Sequence, residues 1–226
     1  MKTLARTRLR DRELPSYTKG EEIFNMVTHI VGGALGITAT VLCVVFSAIH
    51  HNVYGIVSGA IFGATMIILY TMSSIYHGLR PNMAKKVFQI FDHCSIFLLI
   101  AGTYTPFALC VLRQHSLALG WSIFGVIWGL AVLGIILKSI DIKMFEVVSF
   151  ILYVGMGWCI IFTAKIVYGI IGSTGFGLLL GGGIAYTVGA VMYCFTSKLR
   201  YIHSVFHIFV VIGSLLHFLC ILLFIM

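Results

Sequence analysis

His203 and His207 stand four residues apart, a spacing that sets both imidazoles on one helix face at the separation needed to hold a single metal ion. A third imidazole from another element, His77, would complete a set of three neutral nitrogen ligands. Three such ligands leave a zinc ion one open position for water, the arrangement of catalytic sites, whereas structural zinc is usually closed by four protein ligands. An ion held in this way lowers the pKa of its water to about 7 and generates hydroxide at neutral pH. Asp92 could then orient or deprotonate that water, and Ser73, one turn from His77, could hydrogen-bond the water or a ligand. Glu22, Asn25 and His29 follow one another at intervals of three and four and so share a further helix face. His29, Asn25 and Glu22 are read as partners that steady the ligands or as a possible further ligand, His29 being the candidate for a fourth. Glu22 also suits a helix N-terminus, where a carboxylate meets the positive end of the dipole.

The elements that must bring these residues together are membrane helices. The chain has 226 residues, is 60% hydrophobic and only 10% charged, which excludes an ordinary soluble domain. From Ile23 to Leu79 there is no Asp, Glu, Lys or Arg, a length suited to two spans with His50-His51-Asn52 as the turn between them. Apolar segments near 24–48, 54–78, 87–111, 117–137, 145–167, 176–196 and 203–225 predict an all-α integral membrane protein, a seven-transmembrane helix bundle over residues 22–226. Residues 1–21 are polar and basic, without the apolar stretch of a signal peptide, and are expected to form a retained cytoplasmic tail.

A net charge of +8 could serve nucleic acid or a membrane surface, and the placement of the charges decides. With the N-terminus inside, Lys2, Arg6, Arg8, Arg10, Arg12, Lys19, Arg80, Lys85, Lys86, Lys138, Lys143, Lys198 and Arg200 all fall on the cytoplasmic side. Only Arg113 and Lys165 face outward, so the positive-inside bias predicts a cytoplasmic N-terminus, an external C-terminus and no nucleic-acid partner. The six cysteines are scattered through apolar runs without a Cys-x-x-Cys pair and read as small buried hydrophobes. Many of the 24 glycines lie inside spans and read as helix-packing positions, and Trp121, Trp128 and Trp158 as belt or core residues.

In this arrangement four spans deliver Glu22, Asn25, His29, Ser73, His77, Asp92, His203 and His207 to the same cytoplasmic third of the bilayer. Ionisable groups in a membrane are costly, and their coincidence at one depth is the strongest functional signal in the sequence. His217, about 15 Å further along its helix than His207, reads as a helix–helix hydrogen-bond partner, and His93 as packing. His50, His51 and His115 lie in loops.

At these residues the sequence resembles the progestin and adipoQ receptor family, most closely its bacterial hemolysin III branch. The motifs are Glu22-x-x-Asn25 followed by His29, Ser73-x-x-x-His77, Asp92 within Phe91-Asp92-His93-Cys94, Gly102-Thr103-Tyr104-Thr105-Pro106, and His203-x-x-x-His207. The resemblance implies seven helices with the N-terminus inside, zinc held by His77, His203 and His207, and Asp92 in contact with the zinc-bound water. It further implies, through the alkaline ceramidases of the wider superfamily, hydrolysis of a lipid amide. The short tail and loops depart from the receptor members. The expectation is therefore a zinc-dependent hydrolase of a lipid amide or ester bond in a bacterial cytoplasmic membrane, with a membrane lipid as partner and no obligate protein partner. The alternatives are a cytolytic or pore-forming protein, as the branch name suggests, and a receptor or sensor with structural zinc.

Overall fold

The computed structural model describes residues 6–195 and 199–226, so Lys2 and Lys198 lie outside the described residues. Its helices are α1 (Lys19–Ile49), α2 (Val53–Gly78), α3 (Met83–Pro106), α4 (Leu117–Ile140), α5 (Glu146–Trp158), α6 (Ala164–Tyr193) and α7 (Ile202–Phe224). Each start has a local cause. Thr18 and Glu21 form a reciprocal capping box at α1, and Asn52, Asn82 and Ser116 accept from the first-turn N–H groups of α2, α3 and α4. The break between α1 and α2 falls at His50–Asn52, as the sequence predicts. Pro106 has no N–H to continue the α-helical ladder, and beyond it α3 widens into a π-helical turn at Phe107–Leu112 and ends at His115, past the expected limit of 111.

Among the described residues, six helical runs are long and apolar enough to cross a membrane. The fifth, Glu146–Tyr193, has 48 residues and joins α5 to α6 through a 3₁₀ segment at Cys159–Thr163. Straight, it would measure roughly 70 Å, more than twice a bilayer core. It is not straight. Gly172 has φ 69° and ψ −177°, a conformation open only to glycine, and Trp158 Nε1 donates to Thr187 Oγ1 at 3.0 Å. Residues so far apart in sequence meet because the chain reverses between them, and Gly172 lies midway.

The helices pack as sequence neighbours, and α7 closes the bundle against α1 as well as α6. The pattern is inverted relative to a soluble protein. On α1 the buried stripe is Asn25, His29, Gly32, Gly36, Ala39, Cys43 and Ser47, whereas Val27, Ile30, Val31, Ile37, Val41 and Val45 are exposed. Small residues let α2 approach: a Cβ on Gly36 would stand 3.1 Å from the backbone nitrogen of Ile67. Cys43, Cys94, Cys110 and Cys220 are buried as expected, but Cys194 is exposed.

The tail is folded onto the bundle. The Thr7 N–H donates to Asp141 Oδ2 at 2.7 Å, the Arg12 guanidinium donates to the Ile140 carbonyl at 2.8 Å, and Glu13 pairs with Lys143 at 3.5 Å. Asp141 sits in the α4–α5 loop. Burial works against its ionisation, but N–H donors from Thr7, Met144 and Lys143, with the Arg12 charge nearby, hold its carboxyl below the usual range.

Two outcomes follow. Gly172→Ala should destabilise the protein by about 1–3 kcal/mol in detergent thermal unfolding, because its backbone conformation excludes a side chain. Gly169→Ala, also with open space around the Cβ but no positive φ, should not destabilise. Second, because the Asp141 pKa is depressed on folding, its contribution is complete above the unfolded value of 3.8 and is lost as pH falls through the lower folded value. Protection factors for hydrogen exchange over residues 7–13, corrected for the intrinsic pH dependence, should fall roughly tenfold once pH drops below the folded value, and Asp141→Ala should show the lower protection already at pH 6.

Candidate metal centre

Three helices meet at the end of the bundle that carries the N-terminus, and α2 and α7 bring His77, His203 and His207 together there. One nitrogen from each lies within 4.8 Å of the others, and all three side chains are buried. The Nε2 atoms of His203 and His207 face each other at 3.2 Å. Two ligands bound at 2.0–2.1 Å in a tetrahedral site would be separated by about 3.3 Å, so the pair has the spacing of a shared ion.

The outer nitrogens fix the tautomers. His207 Nδ1 donates to the Asn25 carbonyl at 3.3 Å, and His77 Nδ1 donates to Glu22 Oε2 at 2.6 Å. A proton on each Nδ1 leaves the Nε2 lone pair free, and His77 Nε2 is buried with no hydrogen-bond partner. A buried lone pair without a partner is costly, and a metal ion would relieve it. The donor set therefore fits a divalent ion with nitrogen preference.

Glu22 supports a ligand, and the helix cap that its place near the N-terminus also suggested falls to Glu21. The second oxygen of Glu22 accepts from Lys85 Nζ at 2.6 Å, and Lys85, 2% exposed, also lies over the Tyr76 ring. Asn25 serves twice, through its carbonyl and through Oδ1, which accepts from Ser204 Oγ at 2.7 Å. His29 is not in the converging set. Its ring lies against that of His207 at 3.7 Å and 17° and meets Tyr70 edge to face, so it supports the face of a ligand, and both of its ring nitrogens are buried without a hydrogen-bond partner.

Asp92 and Ser73 lie with His203 and His207 on the wall of a cavity of about 830 Å³. The Ser73 hydroxyl is fully buried on the same wall as Asp92 and has no hydrogen-bond partner of good geometry. The wall deeper in is apolar at Leu69, Ile96, Leu99, Ile100 and Val210, with Tyr186, Thr187 and His217 on the α6–α7 side. On α3 the lining of this cavity stops at Tyr104; Phe107 borders a small apolar void of about 30 Å³ next to it, and Ala108–Leu112 are buried in packing. His93 and Trp158, expected only to pack, also line this space. His217 Nε2 donates to the Leu179 carbonyl at 3.1 Å, as expected of a helix–helix partner.

Lys85, Ser204, Glu21 and Tyr17 were not expected here. Glu21 Oε1 accepts from the Tyr201 N–H at 2.7 Å, which ties the start of α1 to that of α7. Tyr17 reaches the site from the tail. Ser204 lies next to His203 on a helix that the His-x-x-x-His spacing already marks; Tyr17 carries no such periodic signal.

The fold and site together define a class: multi-pass helical membrane proteins with a three-histidine cluster at one end of the bundle. The match is specific. Residues 17–218 fit the haemolysin-III-related family, and the chain belongs to that family. It is 39% identical to hemolysin-3 of Bacillus cereus over 91% of this chain and 92% of the relative. The hemolysin-3 homolog of Bacillus subtilis (strain 168) is also 39% identical, over 91% and 95%. The human monocyte to macrophage differentiation factor is 23% identical over 86% of this chain and 77% of its own length. No solved structure matches.

If Glu22 sets the His77 tautomer, Glu22→Gln should weaken divalent-ion binding roughly 10- to 100-fold in a chelator competition. Glu21→Gln, which leaves the His77 contact intact, should bind as wild type.

Proposed function

We propose that the protein is an integral-membrane hydrolase of a lipid amide or ester bond, dependent on zinc held by His77, His203 and His207. The observation that carries this reading is the position of the three-imidazole set: two of its members, His203 and His207, line a cavity that also carries the Asp92 carboxylate and an apolar wall. When bound, the ion would polarise the substrate carbonyl and lower the pKa of a water. The protein's own residues supply the rest. Asp92 takes a proton from the attacking water as the new C–O bond forms and delivers it to the leaving amine or alcohol as the old bond breaks. Ser73 steadies the Asp92 carboxylate, and Glu22, Asn25 and His29 keep the imidazoles in place. The acyl chain lies along Leu69, Ile96, Leu99, Ile100 and Val210.

A lipid substrate entering sideways agrees with a topology of seven crossings, in which the run Glu146–Tyr193 supplies two by reversing at Gly172. We place the N-terminus and the site at the cytoplasmic face of a bacterial cell membrane, in keeping with the basic residues at that end. Residues 22–226 form one domain in this reading. The relatives' name points to cytolysis, but a pore needs a polar path through the whole bundle. Here the lining on α3 ends at Tyr104, which favours a pocket.

Metal analysis and turnover on a panel of acyl amides and esters test the reading. Wild type should carry about one zinc per chain, and His77→Ala, His203→Ala and His207→Ala should lose it. Asp92→Asn should keep most of the zinc and lose at least ~100-fold in turnover. Turnover that survives without metal would refute the mechanism. Zinc-dependent stability with no turnover on any lipid would favour the receptor reading.

A further inference from the structure

The three imidazoles are not held alike. His77 Nδ1 is fixed by Glu22 and His207 Nδ1 by the Asn25 carbonyl, but His203 Nδ1 is buried with no hydrogen-bond partner. His203 is held by rings instead. Tyr17 lies against it at 4.9 Å and 20°, whereas Phe206 and Tyr193 meet it at steeper angles, 39° and 55°. Tyr17 also sits 5.8 Å from the His77 ring, so one side chain covers two members of the cluster.

Tyr17 is itself fixed from both sides. The residue after it, Thr18, caps α1, and the residues before it are anchored to the α4–α5 loop through Thr7–Asp141 and Arg12–Ile140. We propose that residues 7–17 act as a strap that lays the Tyr17 ring on His203, and that Tyr17 is a positioning residue which sets the orientation in which His203 meets the metal. The proposal rests on the metal-site reading above. The contact takes the place of the hydrogen bond that His203 lacks, and it strengthens when the imidazole shares the charge of a bound cation, because the phenol face is electron-rich.

The test uses the full chain in detergent with cobalt(II) as probe, read by chelator competition and by the visible absorption of the ion, which reports ligand geometry. Tyr17→Phe keeps the ring and should match wild type in affinity, within about twofold, and in spectrum. Tyr17→Ala should weaken cobalt binding about three- to tenfold and alter the visible bands. Asp141→Ala, remote from the metal, should shift both in the same direction by releasing the strap. Unfolding of the metal-free protein should change little in Tyr17→Phe and Tyr17→Ala, whereas Asp141→Ala loses its own contribution to stability with or without metal, so its metal effect is read from the visible bands of the folded protein. Wild-type affinity and spectrum in Tyr17→Ala would overturn the proposal, as would equal loss in Tyr17→Phe, which would assign the effect to the hydroxyl. If wild type takes up no cobalt, the metal-site reading falls and the strap role falls with it.

Discussion

Glu22 lies in the first turn of α1 and reaches two partners at once, His77 on α2 and Lys85 on α3, each at 2.6 Å. Away from water an unpaired carboxylate, ammonium or imidazole N–H is penalised, so none of these groups is favourable alone. Together they are matched. The carboxylate satisfies the lysine, neutralises it, and holds the imidazole proton on Nδ1. Three helices are thus placed in register at one end of the bundle by charge and hydrogen-bond geometry, where apolar packing alone would let them slide. Asn25, one turn further along α1, extends the same seam to α7 through Ser204 and His207.

The remainder of the bundle is built to permit that seam. In hydrocarbon, burying apolar side chains between helices gains nothing over leaving them in lipid, so association depends on close packing and on polar contacts. The buried stripe of α1 accordingly turns from polar at Asn25 and His29 to small at Gly32, Gly36 and Ala39. A Cβ at Gly32 would stand 2.5 Å from the Tyr70 ring. That ring in turn packs on His29 and donates through its hydroxyl to Ser214 on α7 at 2.7 Å. Close approach of α1 and α2 is therefore what allows His29 to lie flat on His207.

The helices and the depth of the cluster were legible because both leave periodic traces. Uncharged runs mark spans, and His203 with His207, or Asn25 with His29, mark one face. Contacts made across helices by single residues leave no such trace. Lys85 looked like one more basic loop residue, and only its position against Glu22 shows it to be buried and structural. Glu22 carried two readings, a partner of the ligands and a helix cap; the capping falls to Glu21, because one residue of helical rotation turns Glu21 toward Thr18 and Glu22 toward His77. Tyr17 was hidden for a different reason. A short polar segment with no apolar period reads as a free tail, and the folding of residues 7–17 onto the bundle depends on Asp141, a partner more than a hundred residues away.

The order of the site along the chain carries a consequence for folding. Helix α2 contributes one imidazole, α1 the groups that orient it, and α7, the last helix, the remaining two. Until α7 docks against α1, His77 stands without the other two imidazoles, and the cluster cannot form. Docking also brings Tyr201 to Glu21, at the entrance to α7, where Tyr201 adopts a left-handed backbone with φ 59°. A non-glycine residue is held there only when its surroundings overdetermine it, and the Tyr201 N–H to Glu21 bond is part of that constraint. An ion that bridged His77 to His203 and His207 would join the same two ends of the chain. Its binding energy would then appear as stability of the closed bundle, since it binds the docked state and not the open one.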